Sequence, residues 1–298
     1  MRIANKTIFD SVIRSLGRTS KEMFNSQEVV TTGKKINRLS DDPVGIVSVL
    51  NLRSSLANIT QMERNISMGR SWLTACESAL SQTHSILSSA KELSVQMANS
   101  TQSASERANS VVLVDGYLKQ IISLSNAQSG DRYIFGGTET DAAPFALNTD
   151  ETQVEYSGNE TPFAIKIGKN SNIDIGKNGE DIFGENWDDD NIFKTLIDLK
   201  TSLQDDNIEG INDCMDKLDS HMSGVSAQIS DIAGKTVRLD VKEEILSDLE
   251  LTYTERKSQL EDADIADAIT NLNLKELAYN AALQSSSMIM KLSLVDFV

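Results

Sequence analysis

The sequence is poor in the residues that most site chemistry needs. Two cysteines, Cys76 and Cys214, among 298 residues exclude a disulfide scaffold and a cysteine-built zinc site. Two histidines, His84 and His221, leave little material for acid–base catalysis or imidazole metal ligation. Three prolines, Pro43, Pro144 and Pro162, leave residues 44–143 and 163–298 free of the residue that breaks helices. Cations are outnumbered, with 28 Lys and Arg against 44 Asp and Glu; the net charge of −16 repels a nucleic-acid backbone. Long apolar runs are missing too. The stretch Leu277 to Met290 lacks charge but carries Asn280, Gln284 and three serines, so it is too short and too polar to span a bilayer. The opening Met1-Arg2-Ile3-Ala4-Asn5-Lys6 has no apolar h-region, so a soluble chain without a Sec-type signal is expected.

What the sequence does have is periodicity. Leu52, Ile59, Ile66, Leu73, Leu80 and Leu87 recur every seventh residue, and the positions three further on (Ser55, Met62, Gly69, Cys76, Thr83, Ala90) are small or soft. A seven-residue apolar repeat keeps one seam facing a partner helix, and small residues allow close approach. A second helix is predicted from about Ser105 to Ser129. The last third repeats the seven-residue spacing with Val225, Ile232, Leu239, Leu246, Tyr253 and Leu260. Two such arms in one chain predict an antiparallel bundle with these stripes as its core.

The middle is different. Residues 133–187 hold seven of the fifteen aromatics and seven of the sixteen glycines. Phe163, Ile165 and Ile167 alternate with Ala164 and Lys166, and Ile173 with Ile175, which predicts half-buried strands; Ser157–Glu160 predicts a turn after Gln153–Tyr156. The expected fold class is therefore mainly α with a β-rich insert between helical arms. Charge is uneven as well: residues 139–219 carry 20 acids and six cations, whereas residues 1–38 carry eight cations and three acids. The acidic middle reads as a solvated outer surface, and the basic start as a surface facing something else.

Both ends show helical apolar spacing: Ile8, Val12, Leu16, Met23 and Val30 at one, with Phe9, Ile13 and Phe24 alongside, and Ile265, Ile269, Leu272, Tyr279, Leu283, Met290 and Phe297 at the other. Spacing leaves two outcomes open. The ends pair with each other as an ordinary bundle end, or they are covered by partner molecules.

No motif supports catalysis. Gly136-Gly137 lacks the lysine or third glycine of a nucleotide loop. Asp188-Asp189-Asp190 lacks ligand spacing and reads as a solvated loop. Asp205, Asn207, Glu209, Gly210 and Asp216 fall on positions of a calcium-loop template, but Glu209 and Asp216 are not the residues favoured there; a polar joint between two helices explains the run as well. His84 and His221 have no nucleophile at a recognisable spacing. No catalytic, cofactor-binding or metal-binding residue is assigned.

Two segments carry a more specific signal. In Thr31-Thr32-Gly33-Lys34-Lys35-Ile36-Asn37-Arg38-Leu39-Ser40-Asp41-Asp42-Pro43-Val44-Gly45, Gly33 suits a helix end, Ser40 or Asp41 an N-cap, and Pro43 a first helical turn. The run resembles the N-terminal signature of the flagellin superfamily. Gln128-Ser129-Gly130-Asp131-Arg132-Tyr133-Ile134-Phe135-Gly136-Gly137-Thr138-Glu139-Thr140, with Pro144-Phe145 following, is similar to a segment of that superfamily's hook–filament junction members. The opening Met1-Arg2-Ile3 and the closing Leu292 to Val298 are similar to that group's ends, with Val295 and Val298 as conservative departures.

The resemblance implies a non-enzymatic, extracellular structural adaptor of the bacterial flagellum, exported by the flagellar type III system and joining hook to filament. A flagellin filament subunit is the alternative. It implies a terminal helical axial domain from residues 1–42 and 262–298, disordered in the monomer and ordered on assembly. It further implies a helical rod domain from 43–137 and 190–261, and an outward β-rich domain from 138–189. The implied partners are the first hook-associated junction protein FlgK, flagellin, the flagellar export chaperone FlgN and further copies in a ring, with no nucleic acid and no membrane. The implied subunit–subunit seam is Ile8, Val12, Leu16, Met23, Val30, Ile269, Leu272, Tyr279, Leu283, Met290 and Phe297. Ordering such ends costs roughly 1–2 kcal/mol of backbone entropy per residue, which burial against neighbours must offset.

Overall fold

The chain was analysed as a computed structural model, in which residues 2–184 and 190–295 are described. It divides into two units, one formed by Met1–Ile59 with Asp248–Val298 and the other by Thr60–Ser247. In chain order the elements are α1 (Arg2–Thr32), α2 (Pro43–Met97), α3 (Ala104–Ser125), β1 (Gln128–Ser129), β2 (Arg132–Tyr133), β3 (Phe145–Leu147), β4 (Val154–Tyr156), β5 (Ala164–Gly168), β6 (Ser171–Asp174), α4 (Glu180–Phe183), α5 (Ile192–Gln204), α6 (Ile208–Glu261) and α7 (Ile265–Val295). The architecture is mainly α with a β-rich insert.

In the 60–247 unit the seven-residue stripes become core. On α2, Ile66, Leu73, Leu80 and Leu87 are buried, with Gly69, Cys76, Thr83 and Ala90 buried beside them. On α6 the stripe begins two repeats earlier than the sequence suggests: Ile211, Leu218, Val225, Ile232, Leu239 and Leu246 are all buried. The hydroxyls in this seam do not go unpaired. Thr83 Oγ1 donates to the Ala79 carbonyl at 2.9 Å and Ser94 Oγ to that of Ala90 at 2.8 Å. Ion pairs fix direction and register, because Arg70 meets Asp240 and Glu243 while the later Lys91 meets the earlier Asp219. The two helices therefore run antiparallel.

α3 begins with a capping box. Ser103 Oγ accepts from the Glu106 amide at 3.3 Å, and the Glu106 carboxylate accepts from the Ser103 amide at 2.8 Å. It ends at Ser125, four residues before the expected end. There the Asn126 side chain binds another strand instead: its Nδ2 donates to the Phe145 carbonyl at 2.8 Å, and its Oδ1 accepts from the Phe145 amide at 3.0 Å. α5 packs along α3, with Lys200 reaching Asp115 at 2.8 Å.

Among the described residues the middle of the chain forms three two-stranded antiparallel ribbons, β1–β2 just before the insert and β3–β4 and β5–β6 within it, with Phe145 opposite Tyr156 and Ile165 opposite Ile173. So β4 pairs backward with β3, and the turn at Ser157–Glu160 leads to a new ribbon. Ribbons this small need an aromatic core. Phe145 touches Tyr156, Phe183 and Phe193 with ring centroids 5.0, 5.1 and 5.4 Å away, and Phe135 meets Phe183 edge-on at 5.5 Å. The Tyr156 hydroxyl donates to the Phe135 carbonyl and accepts from the Gly179 amide. Gly137 sits at φ +69°, and a Cβ there would lie 2.2 Å from the Asn159 carbonyl oxygen. The segment Tyr133–Thr140 is thus a structural wrap: Ile134 and Phe135 are buried, and Thr140 returns its carbonyl to the Tyr133 amide.

Candidate assembly interface

The terminal segments lie in the unit formed by Met1–Ile59 and Asp248–Val298, where α1 packs along α7. Glu22 on α1 and Lys275 on α7 are bridged at 2.8 Å, which draws the Glu22 carboxyl below its usual range. On α1, Val12, Leu16, Met23 and Val30 are half-buried. On α7, Leu272 and Tyr279 are half-buried, while Ile269 and Leu283 stay exposed at the edge of the covered side. Ile8 and Met290 belong to these helices, but their side chains lie outside the described set, as does Phe297 entirely. The pairing of the ends is therefore present, and it covers one side of each helix.

Other apolar residues remain open. Phe9, Ile13 and Phe24 form an uncovered flank on α1, Phe24 being 56% exposed. Leu274, Leu277 and Met288 are uncovered on α7, Leu277 being 67% exposed. At about 100° per residue these three fall opposite the side that carries Leu272 and Tyr279. Among the described residues α7 is apolar on two faces, and α1 packs along one of them. Sequence reasoning named only one of these faces; the signal for the other was the seven-residue step Leu274–Ala281–Met288 with Leu277 three residues on. On α1, Arg14, Arg18 and Lys21 are exposed along one stripe, opposite the half-buried residues.

A polar joint closes this unit. Gly33, at φ +71°, ends α1 by donating its amide to the Val29 carbonyl at 2.9 Å. Neither Ser40 nor Asp41 caps α2. Asp42 does, its Oδ1 accepting from the amides of Val44 at 3.1 Å and Gly45 at 2.9 Å, with Pro43 in the first turn. Asp41 instead ties the loop, Oδ2 accepting from the amides of Asn37 and Arg38. At the centre stands Glu261, its side chain 1% exposed, paired with Lys34 at 2.5 Å and with Arg53. Burial raises the affinity of this carboxyl for a proton, but the hydrogen bonds and charges of Lys34 and Arg53 outweigh it and hold the group below its usual range. The Glu261 carbonyl accepts from the Lys35 amide at 2.8 Å, and Ala263 donates to Gly33 at 2.9 Å, so the flagellin-like signature knits α1, α2, α6 and α7 together.

The remaining candidates that are described sit in helix joints and buried contacts. The calcium-like run is a helix joint: α5 ends at Gln204, Asn207 Oδ1 accepts from the Gly210 amide at 3.1 Å, and Glu209 and Asp216 are already inside α6. Asp206 is taken by the buried Arg107, which also donates to the Met97 carbonyl at 3.0 Å. Among the described residues no group of three or more His, Cys, Asp or Glu could hold a metal ion. Asp188 and Asp189 lie outside the described residues. His221 meets Thr195 Oγ1 at 3.0 Å, and burial lowers its pKa toward the neutral ring. Burial pushes the Cys76 thiol up to about 12 and that of Cys214 up to about 11, away from nucleophilic thiolate. Among the described residues no helix is long and apolar enough to cross a membrane.

Comparison with known proteins places this arrangement. Residues 3–140 match the bacterial flagellin N-terminal helical region. The chain is 24% identical to flagellar hook-associated protein 3 of Salmonella typhimurium, over 95% of each chain. It is 32% identical to a flagellar filament 33 kDa core protein of Treponema phagedenis, over 48% of this chain and 49% of the other. The fold matches a solved putative flagellar hook-associated protein from Vibrio parahaemolyticus with a TM-score of 0.69 and 22% identity, covering 74% of this chain and all of that one.

Proposed function

We propose that this chain is a member of the flagellin superfamily and works as a structural adaptor of the bacterial flagellum, joining the hook-side junction protein to the flagellin filament. The observation that carries this is the two-faced α7, paired with α1 on one side and open on the other. A helix apolar on two opposite faces leaves one of them in water unless a second neighbour covers it. The activity is mechanical coupling: terminal helices make subunit contacts, buried seven-residue seams give stiffness, and the acidic β-rich insert faces outward. Hook-associated protein 3 and a filament core protein of Treponema maltophilum are both 24% identical to this chain, over 95% and 89% of it; the Tyr133–Thr140 segment and the match to solved hook-associated proteins favour the junction over the filament.

The assigned layout is a terminal axial domain from 1–42 and 262–298, a rod from 43–137 and 190–261, and an outward domain from 138–189. In the free chain the ends are unfolded; they order as copies assemble in a ring between FlgK and flagellin. FlgN escorts the chain to the flagellar type III exporter. The half-buried seam of Val12, Leu16, Met23, Val30, Leu272 and Tyr279 forms as each pair closes, and Ile8, Ile269, Leu283, Met290 and Phe297 extend it toward neighbours.

A gene deletion examined by electron microscopy tests this. Hooks without filaments, with flagellin released to the medium, are expected, and labelled protein is expected at hook tips in the parent. Filaments that still attach after deletion would overturn it. Limited proteolysis of the purified chain is expected to trim both ends first.

A further inference from the structure

Five Asn-x-Ser/Thr triplets occur in the chain, beginning at Asn5, Asn58, Asn65, Asn99 and Asn159. This triplet is the acceptor pattern for a sugar on the asparagine amide nitrogen, and it works on a surface loop. The structure separates the five. Asn58 belongs to α2 and Asn5, whose side chain lies outside the described set, to α1; helical backbone sets residues two apart about 200° from each other around the axis, so the hydroxyl is turned away. Two further amides are spent within the fold. Asn65 Nδ2 donates to the Lys166 carbonyl at 2.8 Å, and Asn159 Nδ2 donates to Thr138 Oγ1 at 2.7 Å.

Asn99 differs on each count. With Ser100 and Thr101 it lies exposed in the turn between α2 and α3. Its Oδ1 accepts from the Thr101 amide at 3.1 Å and from Thr101 Oγ1 at 3.0 Å, an Asx turn that sets the hydroxyl against the side-chain amide. Its Nδ2 has no acceptor among the described residues. The backbone of the turn is pinned from outside: Arg107 donates to the Met97 and Asn99 carbonyls at 3.0 and 3.4 Å, and the Gln102 amide donates to the Asn99 carbonyl at 3.1 Å.

We propose that Asn99 is a glycan attachment site whose co-reactant is a sugar activated as a diphosphate ester. Nδ2 attacks the anomeric carbon. The Nδ2–C1 bond forms as the C1–O bond to the diphosphate breaks, and the diphosphate leaves with that electron pair. One Nδ2 proton passes to a base of the transferring enzyme, and nothing is oxidised or reduced. The two hydrogen bonds on Oδ1 favour this step, because they stabilise the negative charge that gathers on the oxygen as the proton departs. Attachment costs no native hydrogen bond of Nδ2. It adds solubilising bulk near Val95, which is 54% exposed one turn earlier in α2.

The site is independent of the adaptor function proposed above. It is tested on chain recovered from the cells that make it, cut with trypsin and fragmented by electron transfer in a mass spectrometer; Asn99 falls in the peptide Glu92–Arg107. A sugar mass on Asn99 is expected, with occupancy at least tenfold above that of Asn58, Asn65 or Asn159. A preassembled block of constant composition identifies a lipid-carried donor and a single sugar a nucleotide-carried one, and either upholds the site. Thr101→Ala is expected to lower occupancy at least tenfold, and Thr101→Ser to keep it. Asn99→Asp, which retains Oδ1 for the turn, is expected to abolish the modification and leave the circular dichroism unchanged. A bare Glu92–Arg107 peptide from the parent, or sugar on its serines or threonine with Asn99 bare, would rule the site out.

Discussion

The two units use the same apolar spacing to opposite ends. Between Thr60 and Ser247 every seventh residue of α2 and α6 is sealed against others of the same chain, from Ile66 to Leu87 and from Ile211 to Leu246. In the unit built from the termini, α1 and α7 cover one side of each other and leave Phe9, Ile13, Phe24, Leu274, Leu277 and Met288 in solvent. Spacing therefore identifies a helix that wants partners, and the number of neighbouring helices in the chain decides whether the want is met. Among the described residues α7 has two apolar faces, one packed along α1 and the other open.

That contrast can be broken by substitution, beginning with its largest effect. Leu80→Ala removes a fully buried side chain and is expected to cost about 2–5 kcal/mol, read from the urea midpoint; a cost below about 1 kcal/mol would mean the seam is loosely packed. Gly137→Ala forces a left-handed backbone on alanine and drives its Cβ into the Asn159 carbonyl. About 2–3 kcal/mol is expected, together with loss of near-ultraviolet signal from the aromatic cluster of the insert.

Glu261→Gln probes the joint. Lys34 and Arg53 are about half exposed and rehydrate when the charge is gone, so about 1–2 kcal/mol is expected. The parent's pH response carries the same information. The folded carboxyl titrates below its ordinary value of 4.5, so its contribution is complete above that value and is lost as pH falls through the lower, folded one. In assembled flagella, where the ends are ordered, hydrogen exchange of the Lys35 and Ala263 amides should accelerate over that acidic window in the parent and at every pH in the variant. Leu277→Ala gives the smallest stability change, less than about 0.5 kcal/mol by urea midpoint, because the side chain is already in water. A larger loss would mean that the outer face of α7 is covered within one chain.

Much of this was legible in the residues. Leu73 and Leu239 announced the buried seams, and Ile165 opposite Ile173 the ribbon, because period alone places a side chain on a face. Gly33 and Pro43 marked the joint, although the cap fell to Asp42, the residue whose Oδ1 reaches two amides from just before the proline. Glu261 gave no signal, since its burial depends on Lys34 and Arg53, both more than 200 positions away in the chain. The early end of α3 depended on Asn126 gripping Phe145, a contact between elements that no local propensity encodes. Nor could spacing tell which terminal apolar residues α1 and α7 hide from solvent, because both faces of α7 look alike until a neighbour is placed beside one of them.

The ion pairs between α2 and α6 act on sliding. An apolar seam repeating every seven residues looks the same after one helix shifts along the other by one repeat, so hydrophobicity hardly resists such a slip. The charges do. After the shift Lys91 would face Ser226 or Asn212 in place of Asp219, and in one direction Arg70 would face Ala233 and Thr236 in place of Asp240 and Glu243. These few side chains work like the teeth of a key. They let a smooth, repetitive strut bear a push or twist along its axis without creeping into the next notch.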